Sequence, residues 1–177
     1  MTQARLLSCA ALVVGAGFLS GCPMPKYSGD GTLVDNGPSS ATDRYILDLG
    51  PIDLTRRGQK TFRLAGLPES NFVVGIQISA ATDPTVISNR SLSPTVSLSL
   101  SEASGKVVFS KRASLHSWTW SVPANGDAAF VYSREHPSTY FDAAPNAKYT
   151  LTFDVVEPDQ VGSKYVARLA AKTGGWK

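Results

Sequence analysis

Cysteine is nearly absent from this 177-residue chain, and both cysteines lie close to its beginning. They are Cys9 and Cys22, so residues 23–177 contain none. This absence excludes disulfides, cysteine nucleophiles and cysteine-ligated zinc sites from most of the chain. Any fold must therefore be held by burial of an apolar core, and residues 22–177 are enough for one domain with a sizeable core.

Histidine is also scarce, and neither basic nor acidic residues are in large excess. The chain has two histidines, and no second histidine or carboxylate lies at ligand spacing from His116. The acidic residues lack calcium-loop spacing, and no glycine-rich phosphate loop is present. The 17 basic and 14 acidic residues are interspersed, with a formal net charge of +3. We therefore predict no cofactor, no metal site and no nucleic-acid partner.

The first 22 residues have the pattern of an export signal. Arg5 precedes an apolar run over residues 6–19, which is too short to cross a bilayer as a helix. The run ends in Leu19-Ser20-Gly21-Cys22, which resembles the lipobox of bacterial lipoproteins. The resemblance implies that residues 1–21 are a signal peptide and that the Cys22 thiol receives diacylglycerol. The mature domain would then have no free cysteine.

The lipobox resemblance also implies a location. A processed lipoprotein carries about three acyl chains, and two or more give stable anchoring. In the sorting pattern of that family, aspartate after the lipidated cysteine favours retention in the inner membrane, whereas Pro23 and Met24 follow here. We therefore expect a lipid-anchored protein of the cell envelope. In a host with two membranes it would lie on the outer membrane and face the periplasm.

Turn-forming residues dominate the stretch 23–42, which contains prolines, glycines and serines in close succession. Such composition is typical of a flexible spacer. We predict that residues 22–42 are the lipidated cysteine and a tether. The domain boundary is predicted near Asp43, and a single β-domain is predicted over 43–177.

Alternation of apolar and polar residues dominates the rest of the chain. The clearest example is Val96, Leu98 and Leu100, which alternate with serines. Short strands of this kind, separated by turn residues and without an amphipathic helix, indicate antiparallel sheets with one face in water. We predict an all-β, two-sheet β-sandwich of the jelly-roll or Ig-like type with eight or nine strands. The predicted strands cover 45–49, 61–64, 72–78, 96–101, 107–110, 116–122, 130–133, 149–155 and 165–172.

Trp118 and Trp120 are two residues apart and share one face of a predicted strand with His116. The opposite face carries serine and threonine, which favours burial of both indoles in the core. An exposed pair would instead form a platform for sugar rings, as in carbohydrate-binding sandwiches. We interpret His116 as a hydrogen-bonded residue at the edge of the core.

The segment 133–142 gathers reactive side chains in one predicted loop, including Glu135, His136, Ser138, Tyr140 and Asp142. Functional residues are often placed on loops of a rigid scaffold. A Ser–His–Asp arrangement would make this a hydrolase loop, but no nucleophile-elbow motif accompanies it. We expect a solvated loop in which His136 and Tyr140 are candidate binding residues.

The chain closes on Gly174-Gly175-Trp176-Lys177. A tryptophan so close to an end is unusual, since ends are commonly frayed and polar. Trp176 is predicted to pack against the sandwich or to contact a partner. This ending, with the preceding segment 115–121, resembles small proteobacterial lipoproteins of unknown function. The resemblance covers 43–177 and implies no activity or site.

The function that fits these features is non-catalytic binding. We expect a lipid-tethered sandwich that recognises a protein partner in the envelope, either as an assembly subunit or as a toxin-immunity protein. The alternative is a carbohydrate-binding module that uses Trp118 and Trp120. A hydrolase that uses the loop 133–142 is the third hypothesis, and it requires His136 to reach a nucleophile.

Overall fold

A computed structural model describes residues 26–37, 42–80, 92–122 and 128–174. These residues form eleven β-strands and two short 3-10 helices, Leu115–Ser117 and Gln160–Lys164. Within these ranges, no helix has the length and apolar character needed to traverse a bilayer. The strands are β1 (Thr32–Asp35), β2 (Thr42–Ile52), β3 (Gly58–Ala65), β4 (Ser70–Ala80), β5 (Thr95–Glu102), β6 (Val107–Ser114), β7 (Thr119–Ser121), β8 (Ala128–Tyr132), β9 (Tyr140–Ala143), β10 (Lys148–Glu157) and β11 (Tyr165–Gly174).

The strands build two antiparallel sheets with a core between them. The larger sheet has the order β1-β2-β11-β4-β8-β7, with β9 also paired to β4, and the smaller has the order β3-β10-β5-β6. The all-β sandwich predicted from the sequence is confirmed. Strands β1 and β9 are additional to the nine predicted strands. Each has only four residues, which is too few for alternation to stand out.

Alternate residues of both sheets fill the core, as the period-2 pattern predicted. Val96, Leu98 and Leu100 of β5 are fully buried. They face the other sheet, where Ile76 and Leu169 are also fully buried. The serines of β5 lie on the outer face of the smaller sheet. Removal of this apolar surface from water is the main stabilising term for a domain without disulfides.

The region around the two tryptophans differs from the predicted strand 116–122. A 3-10 helix, Leu115–Ser117, comes first, and its N-cap Ser114 accepts a hydrogen bond from the His116 amide at 3.4 Å. Strand β7 is only three residues long. The helical turn places His116 in solvent rather than at the core edge, so that part of the prediction is wrong. Trp118 and Trp120 both belong to the core.

The folded part of the chain begins before the boundary predicted near Asp43. Residues 28 and 30 bond to β3 of the smaller sheet, and β1 then pairs with β2 of the larger sheet. We call residues 26–35 the N-terminal strap, because they cross from one sheet to the other. Much of the predicted spacer is therefore packed on the sandwich. Residues 22–25 and 38–41 of that spacer lie outside the described residues.

Both edges of the smaller sheet carry a lysine in the same cross-strand row. Lys60 lies opposite Phe153, Phe153 opposite Leu98, and Leu98 opposite Lys111. Because Phe153 and Leu98 point into the core, both lysines stand on the core-facing side at the rim. Lys60 Nζ donates to the carbonyl oxygen of Pro51 on the other sheet at 2.7 Å. Inward charges at an edge oppose pairing with a further strand, so these edges are poor templates for strand addition.

Candidate functional site

An aromatic cluster lies on the outer face of the larger sheet, away from the core. In β8, Val131 points into the core, whereas Phe130 and Tyr132 point the opposite way and are joined by Tyr140 of β9. The rings of Phe130 and Tyr132 are stacked at 5.7 Å, and Tyr140 meets Tyr132 edge-on at 5.9 Å. We call Phe130, Tyr132, Tyr140 and the neighbouring Arg134 the outer aromatic cluster.

The absence of a side chain at Gly75 of β4 leaves room for the Phe130 ring. A Cβ at Gly75 would stand 2.8 Å from Phe130 Cζ and 2.5 Å from the carbonyl oxygen of Val131. Lys172 completes the cover of the ring, since its Nζ lies 4.9 Å from the Phe130 centroid and 3.9 Å from the Asp43 carboxylate. Phe130 is only 3% exposed and anchors the base of the cluster.

Arg134 is exposed and is held by the two tyrosines. Its guanidinium carbon lies 5.8 Å from the centroid of Tyr132, and its N–H groups donate to the hydroxyl oxygens of Tyr140 and Tyr132. The hydrogen bond to Tyr140, followed by the effect of Tyr132, raises the pKa of Arg134. Burial, and then the neighbouring Tyr132, raises the pKa of Tyr140.

The loop that carries Arg134 is closed at its base by hydrogen bonds. The Thr139 amide donates to the Ser133 carbonyl at 3.1 Å, and the Ser133 amide donates to Thr139 Oγ1 at 3.2 Å. The Val74 amide donates to the Thr139 carbonyl at 2.9 Å, which ties the loop to β4. Ser133 and Thr139 are buried, whereas Arg134 and His136 are exposed. The whole loop was predicted to be solvated, but only its tip is exposed to solvent.

The arrangement required for hydrolysis is absent from this loop as described. His136 is exposed, and no serine hydroxyl or carboxylate among the described residues is hydrogen-bonded to its imidazole. Ser133 Oγ instead donates to the carbonyl oxygen of Glu135 at 3.2 Å. In the described ranges, no three His, Cys, Asp or Glu side chains are grouped as metal ligands. The hydrolase hypothesis for residues 133–142 has no geometric support.

Burial also removes the sugar-stacking alternative for the tryptophan pair. Trp118 is 5% exposed and Trp120 is 6% exposed, so neither indole presents a face to a ligand. The Trp120 indole N–H donates to the Leu115 carbonyl at 3.0 Å. Trp118 Nε1 is buried with no hydrogen-bond partner in the described part of the chain. The core interpretation of the pair is confirmed.

A cleft of about 490 Å³ opens at the end of the sandwich where the strap begins. Its walls combine apolar and aromatic groups with an ion pair at the rim, where Arg44 Nε lies 3.6 Å from Asp35 Oδ1. The Arg44 guanidinium also covers the Tyr45 ring at 4.8 Å. The lining residues are Tyr27, Leu33, Asp35, Arg44, Tyr45, Gly66, Leu67, Pro68, Glu69 and Pro145.

The structure joins one predicted candidate to residues that the sequence did not single out. Tyr140 lies in the outer aromatic cluster with Tyr132 and Arg134, whereas His136 lies on the exposed loop beside it. The signal for this cluster was present in β8, where bulky residues occupy both faces of one short strand. Cys22 and Trp176 lie outside the described residues. No protein-family model and no curated protein sequence matches the chain.

Proposed function

We propose that this protein is a lipid-anchored β-sandwich of the cell envelope that binds a protein partner through the outer aromatic cluster. The observation that carries the proposal is an exposed Arg134 held in place by Tyr132 and Tyr140 outside the core. Tyrosine and arginine are enriched among the residues that contribute most to protein interfaces. Arg134 and the half-buried Tyr140 are the members of the cluster that a partner can contact, whereas Phe130 and Tyr132 are buried beneath them as support. Because these side chains are already ordered, binding loses less side-chain entropy.

Three further features favour a protein as the ligand. The paired tryptophans are buried, which removes the sugar platform. At the smaller sheet, the edge strand β6 carries the inward Lys111 and the end of the edge strand β3 is already bonded to residues 28 and 30, so contact through a side-chain surface is favoured over strand addition there. The exposed tip of the loop mixes basic, acidic and imidazole groups at Arg134, Glu135 and His136, as in the polar rim of an interface.

The lipid anchor in this proposal is supported by the sequence Leu19-Ser20-Gly21-Cys22, which resembles a lipobox. A protein held on the envelope by lipid meets partners of that compartment. An assembly subunit and a toxin-immunity protein are the two versions of this function, and both require a specific protein contact. On the sorting pattern after Cys22, the outer membrane facing the periplasm is the proposed location.

The partner contact is tested by photo-crosslinking in the native cell. A photoreactive amino acid at His136, next to the cluster, is expected to give a cross-linked product of discrete mass. The same probe at Arg57, on the exposed turn between β2 and β3, should give none. Arg134→Ala should weaken binding about 30-fold for a hot-spot contribution of about 2 kcal/mol, and the yield at position 136 should fall by up to that factor. Equal products at positions 136 and 57, or an unchanged yield in Arg134→Ala, would contradict the proposal.

Lipid attachment is tested separately by Cys22→Ala. We expect complete loss of metabolic labelling with a radioactive fatty acid, together with accumulation of the unprocessed precursor, because the thiol is the acceptor of the lipid. Cys9→Ala is the matched control and should leave labelling and processing unchanged. A labelled Cys22→Ala protein would overturn the anchoring proposal.

A further inference from the structure

The strap is hydrogen-bonded to the outer edge of β3. The Ser28 amide donates to the Ala65 carbonyl at 3.0 Å, and the Asp30 amide donates to the Arg63 carbonyl at 2.7 Å. In return, the Arg63 amide donates to Asp30 Oδ2 at 2.7 Å. The strap thus adds to the smaller sheet before it joins the larger one.

Close packing confirms that the strap belongs to the folded domain. A Cβ at Gly29 would stand 2.4 Å from the Arg63 carbonyl oxygen. Gly31 has a φ of +84°, and a Cβ there would lie 2.3 Å from the Asp48 carbonyl oxygen. The Tyr27 hydroxyl donates to the Asp30 carbonyl, and burial raises the pKa of Tyr27 above its ordinary value. Glycine is required at both points of close approach.

The distance from the strap to the lipidation site is short. Three residues separate Lys26 from Cys22, so a fully extended chain of four Cα–Cα steps spans at most about 14 Å between their Cα atoms. A flexible spacer of 20 residues would have a root-mean-square length of about 25 Å and could reach much further. Lys26 is already at the sandwich, since its carbonyl oxygen would lie 2.7 Å from a Cβ at Gly66.

The outer aromatic cluster lies along β4 between the two ends of the sandwich, from Tyr140 opposite Val73 to Phe130 opposite Gln77. Strand β3 ends at Ala65, next to the turn 66–69, and β4 begins at Ser70. Strand β9 pairs with the beginning of β4, with Tyr140 opposite Val73. The turn that contains Arg57 lies at the opposite end, because it precedes the eight residues of β3. Eight residues of strand place the two ends about 26 Å apart.

We infer that the anchored domain stands with its strap end towards the lipid headgroups and with the turn that contains Arg57 furthest from the bilayer. This inference rests on the lipid anchor of the proposed function. The short reach of residues 22–26 holds the strap end close to the bilayer, and the packed strap transmits that restraint to the whole sandwich.

The orientation is tested with fluorescent labels at the two ends of the lipidated protein. The mature domain has no cysteine other than the lipidated Cys22, so Glu69→Cys and Arg57→Cys each give a single reactive thiol. Both positions are exposed. The labelled proteins are inserted into phosphatidylethanolamine–phosphatidylglycerol vesicles that contain a lipid with a nitroxide quencher on its headgroup. We expect several-fold stronger quenching at position 69 than at position 57.

The matched control inserts a flexible Gly/Ser segment of about 20 residues between Pro25 and Lys26, which should abolish the difference between the two labels. Equal quenching in the uninserted protein, or stronger quenching at position 57, overturns the orientation while the anchor stands. Protein that does not float with the vesicles shows instead that the anchor itself fails.

Discussion

Trp120→Ala is expected to lower the free energy of unfolding by about 3–5 kcal/mol, the range for removing a large aromatic side chain from a core. Trp120 is 6% exposed and is packed between the sheets. Its indole N–H also satisfies the Leu115 carbonyl, which would lose this partner in the variant. The loss should appear as a lower midpoint in a urea unfolding curve of the domain.

Phenylalanine at each tryptophan provides the control, because it keeps most of the apolar volume. Trp120→Phe leaves the Leu115 carbonyl without its indole donor, whereas Trp118→Phe removes a donor that has no partner in the described part of the chain. Trp118→Phe should therefore be the milder of the two. A Trp120→Ala change within about 0.5 kcal/mol, the usual range for surface sites, would show that the indole is not part of the core.

Gly75→Ala is expected to destabilise the domain by about 1–3 kcal/mol, the usual range for overpacking. The new Cβ would lie 2.5 Å from the Val131 carbonyl oxygen and 2.8 Å from Phe130 Cζ, so both the backbone of β8 and the aromatic ring must move. The position is in β4, which has β11 on one side and β8 on the other. Urea unfolding gives the stability, and near-ultraviolet circular dichroism should report the displaced aromatic ring.

Gly58→Ala is the matched control for Gly75→Ala. Nothing lies within 4 Å of a Cβ at Gly58, which begins the edge strand β3, so the substitution should leave stability nearly unchanged. Displacement of Phe130 should also disturb Tyr132 and thereby lower the cross-link yield from position 136 in Gly75→Ala alone. Equal stability of the two alanine variants would contradict the close approach of Phe130 to β4.

Much of the fold could be predicted because burial is encoded locally. Residues two apart in a strand point to the same face, so the alternation of Val96, Leu98 and Leu100 with serines identified both the strand and its buried side. The same reasoning placed Trp118 and Trp120 in the core. It did not find β1 or β9, because four residues carry too little periodicity and their pairing partners are distant in sequence.

The proline- and glycine-rich composition of 23–42 was misleading for a related reason. Glycine is common in flexible spacers, but it is also the residue that permits a close approach between two backbones. Gly29 and Gly31 serve the second purpose, and only the positions of the Arg63 and Asp48 carbonyl oxygens distinguish the two cases. The domain therefore begins ahead of Asp43.

By itself, the sequence determined that this is an all-β sandwich without disulfides in residues 23–177, and it supplied the resemblance to a lipobox on which the anchoring proposal depends. Only the tertiary structure showed that Arg134 contacts Tyr132 and Tyr140. Only the tertiary structure showed that residues 26–35, which follow Cys22 closely in the sequence, pack against both sheets. The physical reason is that periodicity reports which side chains leave water. The pairing of distant strands, which no local pattern encodes, sets which side chains meet.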